Sequence, residues 1–95
     1  MPTPAADSVA WRRRDTSLTR RTPRAVLIFP EHAEEPLRLD GPAAAVWDEL
    51  AAPRTDRELV DRVAARIGST AEDIGGDVIT TRTALALIGA VTEVR

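Results

Sequence analysis

The chain contains no cysteine, lysine, asparagine, glutamine or tyrosine, and only one histidine, His32, in 95 residues. Each absence closes a class of function. Without cysteine there is no disulfide scaffold, no thiolate nucleophile, no Cys-ligated zinc and no iron–sulfur cluster. A lone histidine excludes multi-histidine metal sites and argues against a Ser-His-Asp arrangement. No run approaches the ~18 apolar residues that cross a bilayer. Met1-Pro2-Thr3-Pro4 lacks the apolar core of a signal peptide, so the expectation is a cytoplasmic protein without a membrane partner. What is present is globular: 43% hydrophobic and 29% charged residues, with all 13 basic residues arginine. That length and composition fit one small domain.

The formal charge of -2 is a sum of unlike parts, since residues 1–24 stand at +4 and residues 25–95 at -6. Pro2, Pro4, Ser8, Thr16, Ser17 and Pro23 mark the basic segment as loosely structured. Residues 1–17 therefore read as a flexible basic arm and residues 18–95 as the folded domain. Trp11 is the exception in that arm, because an aromatic of its size calls for a packing or binding role.

Beyond the arm, the period of the apolar residues assigns the elements. Ala25-Val-Leu-Ile-Phe29, closed by Pro30, reads as a central strand covered on both faces. Leu18–Thr22 precedes it across Pro23-Arg24 as the other half of a hairpin. Pro36-Leu37-Arg38-Leu39-Asp40 alternates with period two, and its opening proline suits an edge strand. Asp40 then offers an N-cap to a helix carrying Ala43, Val46, Trp47 and Leu50 on one stripe and ending at Pro53. Thr55-Asp56-Arg57-Glu58 is a capping box that opens a second helix, with Leu59, Val60, Val63 and Ile67 on its stripe and Gly68 at its end. Thr70-Ala71-Glu72-Asp73 opens a third, whose stripe is Ile74, Val78, Leu85 and Ile88. Gly75-Gly76 near its start costs about 2 kcal/mol against two alanines, so either the helix starts near Asp77 or a close contact demands the glycines. Gly89 ends it, and residues 90–95 form a short extension.

Catalytic constellations are scarce. Glu31, Glu34 and Glu35 surround His32, but in a loop between strands where charged residues are usually solvated. Asp48 with Glu49, and Asp73 with Asp77, read as surface or capping charges rather than an acid/base pair. Gly75-Gly76 follows a helix cap and not a strand, so it is no phosphate loop. Strands with three helices suggest a winged-helix DNA-binding regulator as an alternative. Its reading helix would need cations, and the third helix offers Arg82 against Glu72, Asp73 and Asp77. Recognition of a peptide remains. The edge strand of residues 36–40 leaves backbone groups unpaired, a template for an added strand. Leu37, Leu39, Val78 and Leu85 either wall a groove beside it or belong to the core.

The succession Val26-Leu-Ile-Phe-Pro-Glu31, Pro36-Leu-Arg-Leu-Asp-Gly-Pro-Ala-Ala-Ala-Val-Trp-Asp-Glu-Leu50, Pro53-Arg-Thr-Asp-Arg-Glu-Leu59, Asp77-Val78 and Gly89-Ala90-Val91 resembles the PqqD-like family. Its members are recognition elements for the leader segments of ribosomally made, modified peptides in natural product biosynthesis. The resemblance covers residues 25–94. It departs at Asp40-Gly41-Pro42, where the family often has Asn-x-Thr/Ser, and at Gly75-Gly76, and it leaves the basic arm unaccounted for. It implies an α+β, winged helix-turn-helix fold, a three-stranded antiparallel sheet followed by three α-helices. It further implies a non-catalytic peptide chaperone without metal or cofactor. Such a protein takes the leader as an added strand and delivers it to a modifying enzyme, either a radical enzyme using S-adenosylmethionine or a leader peptidase. Carried onto this chain, the backbone of Leu37, Arg38 and Leu39 pairs with the leader. Val78, Thr81, Arg82 and Leu85 line the cleft, and Arg38 and Arg82 meet acidic leader residues. Nucleic acid is not an expected partner.

Overall fold

A computed structural model describes residues 9–14, 18–29 and 34–94. The strands β1 (Ala10–Arg13), β2 (Leu18–Arg21), β3 (Ala25–Phe29) and β4 (Leu37–Asp40) precede helix α1 (Pro42–Glu49). The short strand β5 (Arg54–Thr55) leads into α2 (Asp56–Ile67), then α3 (Ala71–Leu87) and β6 (Val91–Val94). The chain is thus α+β, with an antiparallel sheet β2-β3-β4 followed by three helices. A second antiparallel sheet, β5-β1-β6, closes the other end of the fold.

The hairpin between β2 and β3 is closed by Thr22. Its amide donates to the Ala25 carbonyl at 2.9 Å, and its hydroxyl accepts from the Ala25 amide at 3.0 Å. β3 is central, as its apolar run predicts, but only one face is fully covered. Val26 and Ile28 are buried while Phe29 stays exposed and Leu27 half-buried on the other. β4 alternates as expected, with Leu39 buried and Arg38 exposed.

The helix starts obey local chemistry. The capping box of α2 forms, the Thr55 hydroxyl accepting from the Glu58 amide at 3.1 Å and the Glu58 carboxylate from the Thr55 amide at 2.9 Å. Gly68 ends the helix at φ 70°, a left-handed conformation that glycine adopts without steric cost. α1 departs from expectation: its N-cap is Gly41 at φ 52° with no side-chain cap. The Asp40 carboxylate instead accepts from Arg38 Nε at 3.0 and 3.1 Å. α3 begins at Ala71, capped by Thr70, and runs unbroken through Gly75-Gly76.

Both alternatives for the glycine pair are therefore set aside. A Cβ on Gly75 would meet Val60 Cγ1 at 3.7 Å, an ordinary contact, and one on Gly76 would meet nothing within 4 Å.

The core lies between the inner face of β2-β3-β4 and the helices. Val26, Ile28 and Leu39 meet Val46, Trp47 and Leu50 of the α1 segment, Leu59 and Val63 of α2, and Ile74, Val78 and Leu85 of α3. Each such side chain contributes on the order of 1.5–3 kcal/mol by leaving water. Ile67 and Ile88, placed on the helix stripes by spacing alone, stand 38% and 41% exposed at the helix ends.

Within the segment read as a flexible arm, Ala10–Arg13 form the central strand of the second sheet, paired to β5 and β6. The Arg13 amide also donates to the Leu50 carbonyl at 2.9 Å and the Arg14 amide to the Ala90 carbonyl at 3.0 Å. Residues 91–94, read as a mere extension, are β6.

Candidate functional site

β4 carries the first three candidate residues. Antiparallel register sets Leu37 opposite Ile28, Arg38 opposite Leu27 and Leu39 opposite Val26. Since side chains alternate across a strand, Leu37 and Leu39 share the inner face with Ile28 and Val26. Arg38 lies on the outer face with Leu27. Among the described residues β4 pairs with β3 alone, so its other side is a free edge. Its four residues leave alternate N–H and C=O groups there for another extended segment.

On α3 the spacing of Val78, Thr81, Arg82 and Leu85 puts them on one face. The structure brings Leu39, Val78 and Leu85 into a single core cluster, where Val78 and Leu85 are fully buried. Val78 and Leu85 are core side chains, on a helix packed against α1, α2 and β6. Thr81 is half-buried.

Arg82 is committed within the chain. Its Nε and Nη2 donate to the two Asp56 carboxylate oxygens at 2.8 Å each, and its guanidinium lies 4.1 Å from the centre of the Trp11 ring. Both members of the pair are close to buried, at 12% and 13% exposure. A bidentate, stacked guanidinium of this kind is held by its planar fork and by the ring beneath it. The role expected of Arg82, meeting an acidic leader residue, is thus taken by Asp56. Trp11 has a packing role, tying β1 to α3.

A second ionic cluster escaped the sequence reading, which treated Glu49 as a surface charge. Glu49 is 5% exposed. It accepts from Arg62 Nε at 2.6 Å and Arg66 Nε at 2.8 Å, while Arg54 Nε donates to its backbone carbonyl at 3.1 Å. Burial opposes its ionisation, but the hydrogen bonds and positive charge of Arg66 and Arg62 outweigh it and hold the carboxyl below its ordinary value. The signal was present in the i, i+4 spacing of Arg62 and Arg66, which puts two cations on one face of α2. Asp48 is likewise engaged, by Arg21 from β2. These groups neutralise one another.

Open concavities flank α3 and the hairpin, and one of about 410 Å³ lies between α2 and the N-terminal half of α3, lined by Asp56, Val60, Ala71 and Ile79. One of about 630 Å³ separates the C-terminal half of α3 (Thr83, Ala86, Leu87) from Trp11 and Val91. Another of about 390 Å³ is formed by Leu18, Thr19, Arg20 and Phe29 on the β2–β3 hairpin. His32 and Glu31 lie outside the described residues, and Glu34 and Glu35 are exposed. Among the described residues no three His, Cys, Asp or Glu side chains are grouped to hold a metal ion, and no helix is long and apolar enough to cross a membrane.

No curated protein and no solved structure matches the chain. Residues 24–87, from the hairpin turn to the end of α3, match the family described as Coenzyme PQQ synthesis protein D (PqqD). That match takes in β3, β4 and all three helices and leaves out β1, β2 and β6. The free-edged β4, the capped helices that come after it and this match over two thirds of the sequence lead to one assignment: the chain belongs to the PqqD family.

Proposed function

We propose that the chain binds the leader segment of a ribosomally made precursor peptide as a strand added to the free edge of β4, and presents it to a maturation enzyme. The family's description ties it to coenzyme PQQ synthesis, which fits a precursor-binding accessory protein. The observation that carries the reading is the edge itself: Leu37–Asp40 pairs on one side only, with β3, and lies inside the region matched to the family. Backbone pairing supplies affinity without a reactive side chain, in keeping with a chain that has no cysteine. Because Val78 and Leu85 are core, the contacts of the leader fall on the backbone of Leu37, Arg38 and Leu39 and on Thr81 at the helix surface, with modest side-chain pockets.

The DNA-binding alternative has less support. Its reading helix would be α3, whose arginine is held by Asp56 and Trp11 while Glu72 and Asp73 occupy the first turn. Phosphate contact requires free cations.

The test is titration of the full chain with the labelled leader of the precursor encoded beside its gene. Two copies, N-methylated at the odd and at the even backbone amides, serve as the controls. Strand addition predicts that one methylation pattern weakens binding by about tenfold or more, about 1.4 kcal/mol for the lost hydrogen bonds. Equal affinity for both methylated patterns and the parent peptide, or salt-sensitive retention of duplex DNA with no leader binding, removes the reading.

A further inference from the structure

The outer face of the β2-β3-β4 sheet carries an apolar strip with Arg20 on one side and the exposed Arg38–Asp40 pair on the other. Register sets Leu18 opposite Phe29, and the next row on the same face reads Arg20, Leu27, Arg38 across the three strands. Leu18 is 75% exposed and Phe29 41%, with Leu27 half-buried between the arginines. Residues 18–29 include Arg20, Arg21 and Arg24 and no acidic residue, although the chain as a whole is negative. Arg21 is matched by Asp48 from the inner side. Among the described residues Arg20 and Arg24 make no ion pair. The Arg38–Asp40 pair is more than half exposed at both ends, so solvent screens it and it holds the guanidinium only weakly.

We propose that this face docks an acidic amphipathic helix of a partner protein. Its apolar stripe would lie along Leu18, Leu27 and Phe29, and carboxylates on its two flanks would meet Arg20 and Arg38. A helix laid on an open sheet face is the usual way for such a face to leave water, and depletion of acid from the hairpin selects its charge. The face uses side chains, whereas leader addition uses the backbone edge of β4, so the two occupants do not exclude each other. On the leader-binding reading, on which this identification rests, the partner is the maturation enzyme, and leader and enzyme are held on one sheet. A nucleic acid is the poorer fit, since it would find two unpaired arginines beside a predominantly aliphatic strip and no ladder of aromatic platforms.

The experiment uses the full chain and three labelled probes: a synthetic helical peptide with a leucine stripe flanked by glutamates, the same peptide with serine for leucine, and a single-stranded oligonucleotide of equal formal charge. The leucine peptide is expected to bind at least tenfold more tightly than either of the others. Leu18→Ser and Arg20→Glu, both at exposed positions, are each expected to weaken it about tenfold while leaving circular dichroism and leader affinity unchanged. Equal binding of the serine peptide or the oligonucleotide, or indifference to both substitutions, overturns the proposal. Leader binding that fails while the leucine peptide still binds removes the leader reading and leaves the docking face standing.

Discussion

Single residues in this chain are often used up by their neighbours, and Glu49 is the clearest case. Its carboxylate is buried under Arg62 and Arg66, and its value is depressed because their hydrogen bonds and charge outweigh the cost of burial. A group with a lower value folded than unfolded contributes stability that is complete above its unfolded range and is lost as the pH falls from there through the lower folded value. Glu49→Gln is therefore expected to cost about 1–2 kcal/mol at neutral pH. Parent and variant should converge only at a pH below the depressed folded value, more acid than the ordinary glutamate range. Urea titrations at pH 7 and at low pH check this, and a pH-independent difference would contradict it. Arg82 makes the same point for the candidate site. The resemblance gave it a place in the leader cleft, and only the fold shows its Asp56 and Trp11 partners.

At the scale of elements, local chemistry was legible wherever neighbouring residues suffice. The Thr55–Glu58 box and the Thr70 cap form as their spacing dictates, since both ends of each hydrogen bond lie within one turn. The start of α1 was not legible, because Asp40 had a competing partner, Arg38, on its own strand. The glycine pair in α3 is more instructive. Its cost to helix propensity is intrinsic, and tertiary packing overrides it without needing glycine at either position. Gly76→Ala meets open space, and Gly75→Ala makes an ordinary contact with Val60. Each is expected to raise stability by about 0.5–1 kcal/mol, by removing unfolded-state entropy at helical positions. Thermal unfolding of both variants tests the claim. A loss of stability at either position would contradict it.

For the molecule as a whole, the second sheet changes the meaning of the N-terminal segment. β1 lies between β5 and β6, and Trp11 joins it to α3. Deleting residues 1–13 removes the partner of two strands at once. It is expected to lower the unfolding midpoint well beyond any effect of deleting residues 1–8. Equal midpoints for the two truncations would show that the β5-β1-β6 sheet adds nothing to stability.

What the sequence by itself determined were the features set by short-range pattern: three helices, two of them with their caps, a hairpin, an alternating fourth strand and the absence of catalytic and metal chemistry based on cysteine. It also carried enough of that order to resemble the family to which the chain belongs. Only the tertiary structure decided which apolar residues are core and which are surface. Leu39, Val78 and Leu85 went inside, and Leu18 and Phe29 stayed out, although their side chains are of one kind. Only the fold, too, paired Ala10–Arg13 with strands some 40 and 80 positions further along. The physical reason is common to both. Hydrophobic burial and strand pairing depend on what lies across space, and a chain with 16 alanines and 13 arginines offers many equivalent local choices that only packing can tell apart.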